Sequence, residues 1–452
     1  MSRKLTIAIC GGGVGGLTCA VALSRNNNIQ VDIYEAASRF AEIGAGIGVW
    51  PRGMRVLQAL GLDRELANVA IVDPEERQKV VFEFRKGDQA EGQSFYTLKT
   101  PGGLTTFHRP DFQSVLLRHV PPSCRTHTNK RLVSYTQPPP NSRHPTPSPI
   151  TLHFQDGTTA TCDLLIGADG VRSSVRATLV RELAGAAMAE GRAREAEELR
   201  HADKALWSGI CAYRATIPSD ALRARIPGHR ALREPLVYFG KDTQLTVYPV
   251  ARGKIINFAA FRAQYSRENT TLDAPYIEEV PKEALLHEFR KWEPEVQALF
   301  QCVPKYSRWA IHVTPRLPTF VSGRVALLGD AAHAMLPFQG TGAGQAIEDG
   351  YLLAALLIHP RTTLSNLAQV LHIYDAVRRP VAQRAAAKAR EASMLYTLNY
   401  PGLTPDHIEN GHAAETLGAI ADRIRENWVW QWETTLDDDV NRAIRMLEAS
   451  CQ

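Results

Sequence analysis

Three glycines, at positions 11, 13 and 16, and a glutamate at position 35 are the residues whose types and spacing first suggest chemistry. The glycines fill a G-x-G-x-x-G frame between an apolar run, Leu5 to Cys10, and an Ala/Leu/Val run, Leu17 to Leu23. In such a frame Gly11 makes the tight turn, Gly13 admits a pyrophosphate against the backbone, and Gly16 lets helix and strand pack closely. Free N–H groups and the macrodipole at the helix start then favour phosphate. The frame alone is a weak signal, because glycine-rich turns also arise for structural reasons. Glu35 strengthens it. It closes an alternating run, Ile29 to Ala36, at about the 20-residue distance where a dinucleotide fold places a ribose-binding carboxylate. Together these residues predict a site for an adenosine diphosphate, and leave open whether it belongs to NAD or FAD.

The elements that must position this chemistry are a buried strand, a turn and a helix, the opening of an α/β fold. A chain of 452 residues has room for two or three domains. With 44% hydrophobic and 22% charged residues it has the composition of an ordinary globular protein, and a net charge of +5 with scattered basic residues does not point to nucleic acid. Seven dispersed cysteines without a C-x-x-C pair argue for a reducing compartment and against a zinc site. Met1 to Lys4 leads straight into the first strand, without a signal peptide, and no apolar run reaches the 18 residues that suggest a membrane span. A cytoplasmic protein is expected, as monomer or homodimer.

Further along, Gly44, Gly46 and Gly48 alternate in a way that suits backbone lying against a flat ligand. Val80 to Phe84 and Ser94 to Leu98 read as antiparallel strands interrupting the βαβ pattern. Arg109 stands at a helix start marked by Pro110 and Asp111; taken alone, such an arginine is ordinarily a surface residue. A proline-rich stretch at 137–149 reads as a loop between two strands, and 180–206 as a solvated helical excursion. A buried strand ends in Gly167-Ala168-Asp169-Gly170. Residues 206–261 read as consecutive strands of one antiparallel sheet, a roof over whatever the first domain holds. The stretch 282–300 reads as helix with a break at Pro294. Val325 to Leu328 is another buried strand, with Asp330 at its end where α/β folds bind ligands. Pro337 to Gly344 forms a second glycine-rich turn before a helix of about 343–358, a second helix N-terminus aimed at a ligand. The tail is helical, with Trp428, Trp430 and Trp432 read as packing residues.

Three motifs in this order, the glycine frame with Glu35, Gly167-Ala168-Asp169-Gly170, and Gly329-Asp330-Ala331-Ala332-His333 with Pro337, resemble the single-component FAD-dependent aromatic hydroxylases. The resemblance runs from about 5 to 400 and is to the salicylate hydroxylase branch, including its fungal polyketide-modifying members. It implies a Rossmann-like FAD-binding domain built from 1–75, 104–205 and 318–395. An inserted antiparallel β-sheet substrate domain would comprise 76–103 and 206–317, and a C-terminal helical region 396–452. It implies FAD as cofactor, with NAD(P)H as transient co-substrate and O2 and a small aromatic molecule as the other partners. Glu35 would bond the adenosine ribose, Gly48 and Arg109 would contact FAD, and Asp169 would serve both FAD and NAD(P)H. Asp330 would bond the ribityl or pyrophosphate side, and Ala343, followed by Gly344, would lie at the helix start beside the flavin. Pro337 would lie beside the reacting ring, and Tyr213-Arg214 and Tyr248-Pro249 would line the substrate cavity. One departure stands out: Arg52 occupies a place where the family usually has asparagine.

The chemistry so implied is hydroxylation of a phenolic or polyketide-derived ring through a flavin hydroperoxide, with decarboxylation or dearomatisation as possible outcomes. The cofactor carries the difficult step, so neither a metal nor a nucleophile is sought. A phenolate is a better nucleophile than a phenol, which suggests Arg214 and Tyr248 as the catalytic pair: the cation binding the phenolate or carboxylate, the hydroxyl donating to it. Epoxidation of an isolated alkene, or flavin binding without hydroxylation, are the alternatives.

Overall fold

The computed structural model describes residues 4–40, 46–70, 78–138, 148–250, 253–272, 274–403 and 413–450. Gly44, most of the proline-rich stretch at 137–149 and part of the tail lie outside these residues.

The first strand, Leu5–Cys10, is the middle of a six-stranded sheet. It pairs in parallel with Ile29–Tyr34 on one side and Leu164–Gly167 on the other. Val325–Leu327 extends the sheet beyond Leu164–Gly167, again in parallel, and Arg125–His127 closes the other edge. Strands buried on both faces read as continuous apolar runs, and Leu164–Gly167 is buried at every position. The helix Val14–Leu23 is also buried at every position, because the sheet covers one side and the helix Gly342–Leu357 the other. Glycine makes that second contact possible. A Cβ on Gly350 would stand 2.9 Å from the Gly15 carbonyl oxygen, and one on Gly15 would stand 2.7 Å from Leu328 Cδ1.

The second sheet has eight strands, ordered Ile277–Pro281, Lys305–Val313, Leu206–Pro218, Ile255–Ala263, Thr243–Val250, Leu236–Gly240, Gln78–Lys86 and Gln93–Pro101. Of the seven neighbouring pairs six are antiparallel, but Gln78–Lys86 runs parallel to Leu236–Gly240, so the roof is mixed rather than purely antiparallel. Its strands send alternate residues to opposite faces. One face, with Leu236, Tyr238, Val247 and Phe258, packs on the helices Glu283–Phe289 and Pro294–Gln301, which part at Pro294 as the sequence implies. The other face, with Val237, Phe239, Ala259 and Phe261, looks toward the first sheet.

The helix Leu367–Tyr396 joins the two halves. Its 30 residues reach about 45 Å. Leu367 to Ala382 contribute to the core around the first sheet, and Ala389 to Tyr396 to the core under the roof. Residues 180–206 hold not one solvated helix but parts of two, Ser174–Ala189 and Ala193–Arg200, packed on each other through Ala184, Ala187, Ala196 and Leu199. Among the described residues no helix is long and apolar enough to cross a membrane.

Candidate active site

The glycine turn has the geometry its spacing implies. Gly11 has φ +109°, and a Cβ there would stand 2.2 Å from the Ala168 carbonyl oxygen. A Cβ on Gly16 would stand 2.1 Å from the Gly11 carbonyl oxygen, so the third glycine relieves the turn itself. Gly13 caps the helix Val14–Leu23 with no side-chain acceptor for its first N–H groups. The Glu35 carboxylate accepts from the Gly12 N–H at 2.9 Å and the Ala37 N–H at 2.8 Å. Two such bonds fix its orientation beside the turn and leave lone pairs for ribose hydroxyls.

The second turn repeats this design. Gly329 has φ +59°, and Asp330 follows it, exposed, at the head of the short helix Asp330–His333. Pro337–Gln339 is a single 3-10 turn, Gly340 is left-handed at φ +60°, and Gly342–Leu357 begins behind Thr341 without a side-chain cap. A Cβ on Gly342 or Gly344 would meet nothing within 4 Å, so the helix start opens on free space; Ala343, between them, is half-buried. The two uncapped helices pack on one another. Their positive ends suit an electron-rich, anionic ligand.

Asp169 is occupied within the protein. It accepts from Ser173 Oγ at 2.5 Å and from the N–H groups of Ser174 and Val175 at 2.7 and 3.2 Å, heading the helix Ser174–Ala189. Burial pushes its carboxyl above the usual range, against the pull of these bonds. Arg109 is the first residue of the helix Arg109–His119 and is half-buried. The strand before it, Thr105–His108, pairs with Gly46–Val49 and brings Gly48 toward the same space.

That space is a cavity of about 640 Å³ beneath the roof. Gly46 and Gly48 line one wall, Pro337 to Gly340 another, and Tyr396 and Trp428 a third. From the roof, a cross-strand row Arg214, Ala259, Thr246 and Val237 is set by strand register, with Tyr248 and Asn257 paired in the next row. Arg214 is half-buried, with its guanidinium carbon 5.1 Å from the Trp309 ring centre. Its Nε is buried with no hydrogen-bond partner. Burial lowers its pKa and Arg109 adds to that, while Tyr248 works the other way. Burial raises the Tyr248 phenol, against the pull of Arg214.

Arg214, Tyr248, Pro249, Gly48 and Pro337 therefore meet around one cavity. Tyr213 does not join them, which corrects the expectation that it lines the substrate site. Adjacent strand residues point to opposite faces, and Tyr213 lies in the outer core, edge-on to Tyr306 at 6.5 Å. Sequence reasoning missed Thr246 and Asn257, although their alternation with Tyr248 and Ala259 was a usable signal. It also missed Trp428, which packs edge-on against Trp50 at 5.1 Å and so joins the tail to the cavity wall. Arg52 turns away from the cavity. It bonds Glu348 at 2.9 Å, Asp439 at 2.9 Å and Thr434 Oγ1 at 2.7 Å, and Glu348 in turn bonds Arg378 at 2.9 Å. Arg378 and His333 both bond Asp349, at 2.8 and 2.5 Å.

The model of the FAD binding domain family matches residues 4–389. The chain belongs to this family of flavin-dependent monooxygenases. It is 36% identical to a salicylate hydroxylase of Pseudomonas putida, covering 97% of this chain and 94% of that one. It is 35% identical to the FAD-dependent monooxygenase str9 of Strobilurus tenacellus, covering 99% of both. A solved salicylate hydroxylase substrate complex superposes with a TM-score of 0.82 at 31% identity, covering 98% of both chains. The chain is thus an FAD-dependent aromatic monooxygenase of the salicylate hydroxylase type, and the choice between NAD and FAD falls to FAD.

Proposed function

We propose that this monooxygenase hydroxylates a phenolic ring in the cavity under the roof, using NAD(P)H and O2. The observation that carries the reading is Arg214: a guanidinium that burial penalises, in a cavity whose described lining contains no carboxylate. A buried cation without an acid to pair with is costly, and a bound phenolate or carboxylate would offset that cost. FAD, when bound, supplies the electron transfer and oxygen activation. The protein's part is placement. Glu35, Asp330 and the two glycine turns would hold the cofactor, with Gly48, Arg109, Ala343 and Gly344 beside it and Asp169 anchoring the turn that NAD(P)H must approach. Arg214 would hold the substrate oxygen as an anion, and Tyr248 would donate its O–H to the same oxygen. Phe82, Tyr396 and Trp428 would keep water from the reacting ring, with Pro337 below it. The discontinuous division into FAD-binding, roof and tail regions is part of the same proposal. An isolated alkene would leave Arg214 without an anion, so epoxidation is disfavoured.

The test is a panel of phenolic acids and aldehydes scored for stimulated NAD(P)H oxidation, with products identified by mass. At least one phenol should stimulate oxidation and gain one oxygen, with or without loss of its carboxyl. A flavin-loaded, reducible protein that no phenol stimulates would overturn the proposal.

A further inference from the structure

The roof presents the cavity with a hydroxyl that is fixed from behind. Arg214 pairs across the strands with Ala259, and Ala259 with Thr246, so the three stand in one row, and all of them line the cavity. Two interstrand steps put the backbones of Arg214 and Thr246 about 10 Å apart. Ala259 occupies the middle of the row with a single methyl group, which leaves space over it for a flat ring. Val237, the next residue in the row after Thr246, is apolar.

Gln244 stands two residues before Thr246 on the same strand and therefore on the same face. It is fully buried and does not line the cavity. Its Nε2 donates to Thr246 Oγ1, while its Oε1 is buried with no hydrogen-bond partner. The opposite placement of the amide would leave its N–H groups bare instead of its carbonyl, and a bare buried N–H is the rarer of the two. A hydroxyl that accepts from an amide still has its own proton to give. Thr246 is half-buried, with its open side on the cavity, so the proton is offered to whatever the cavity holds. One neutral hydroxyl does not repay the desolvation of a second carboxylate, and the partner it suits is an uncharged oxygen.

We propose that Thr246 is a specificity-determining residue, and that the preferred substrate is a phenol carrying a carbonyl group on the edge of the ring opposite the oxygen held by Arg214. Gln244 is a positioning residue that acts through Thr246. The reading rests on the phenol site at Arg214 and adds the substituent at the far edge.

The probes are 5-acetyl-2-hydroxybenzoate and 5-isopropyl-2-hydroxybenzoate, which differ at that edge in a carbonyl oxygen against a methyl group. Each is titrated into the FAD-loaded protein without NAD(P)H, and the dissociation constant is read from the flavin absorbance. The acetyl compound should bind about fivefold tighter, as one neutral hydrogen bond allows. The preference should vanish in Thr246→Val and persist in Thr246→Ser. Gln244→Met should weaken it while leaving the isopropyl compound bound as before. That variant reaches the hydroxyl without altering the cavity wall, which keeps the test usable if Thr246→Val disturbs the strand. No preference in the parent, or a preference untouched by Thr246→Val and Gln244→Met, overturns the role of Thr246 and leaves the phenol site standing as long as the isopropyl compound binds. No binding of either probe, together with no phenol-stimulated oxidation, overturns both readings.

Discussion

Arg214→Met should make the substrate-free protein more stable and its phenol complex weaker. In the free protein the guanidinium is held in the cavity with its Nε unbonded, and its compensation is the Trp309 ring at 5.1 Å. Desolvating a cation costs several kcal/mol, and a cation–π contact returns about 2 kcal/mol at best. Methionine keeps much of the volume and removes the charge, so a gain of about 1 kcal/mol is expected, seen as a melting temperature roughly 2 °C higher. In the complex the same change removes a charge-assisted hydrogen bond worth about 1.5–3 kcal/mol, or roughly 10- to 150-fold in affinity. Thermal melts of the FAD-loaded protein and flavin-perturbation titrations with a phenolic acid measure the two effects separately. Arg214→Lys should recover part of the affinity and none of the stability. If the methionine variant melts lower than the parent and binds phenols unchanged, Arg214 is a structural residue and the argument from its unpaired charge is wrong.

Other outcomes follow from the cofactor cradle and the buried network. Glu35→Gln keeps the shape but weakens the acceptor for the Gly12 and Ala37 N–H groups and the ribose, so FAD affinity should fall about tenfold or more by equilibrium dialysis, with a small change in melting of the apoprotein. Burial opposes ionisation of Asp349, but His333 and Arg378 outweigh it and hold its carboxyl at about 2, below the usual value. A depressed acid contributes stability that is complete above about pH 4 and is lost as pH falls toward 2, about 2 kcal/mol in all. Urea midpoints across that window should fall less steeply in Asp349→Asn than in the parent. Arg52→Met leaves the buried Glu348 with Arg378 as its one remaining cation and should cost about 1.5–3 kcal/mol by urea unfolding. Arg52→Lys should not restore it, because an ammonium cannot span Glu348, Asp439 and Thr434 at once.

Much of this molecule was legible in its sequence. The glycine frame, the acid at 35 and the strand–turn–helix around 325–357 carry their signal locally, since each residue's reason for being there is a neighbour in the chain. The roof was legible where strands follow one another, from 206 to 263. At its far edges Val80 to Phe84 and Ser94 to Leu98 were read as strands, but the parallel neighbour of the first and the strand Ile277–Pro281 were not. Ile277–Pro281 alternates weakly on an edge strand, and Gln78–Lys86 finds its parallel partner some 150 positions later. The cavity wall suffered for the same reason: Lys79 and Trp428 reach it only through tertiary packing. Tyr213 was a different failure, because placing it and Arg214 in one cavity ignored the two-residue period of a strand. Arg52 was visible as an oddity, yet its explanation lay in Thr434 and Asp439, beyond any local pattern.

The guanidinium of Arg52 also fixes when the molecule can be finished. Ribosomes release the glycine turn first, but its sheet has neighbours on one side only, Ile29–Tyr34 and Arg125–His127, until 164–167 and 325–327 emerge, and Arg52 waits for 434–439. A nascent chain halted before 164–167 would display one bare apolar edge of that sheet. Folding should therefore finish late, and flavin capture should follow translation of the second turn rather than accompany the first.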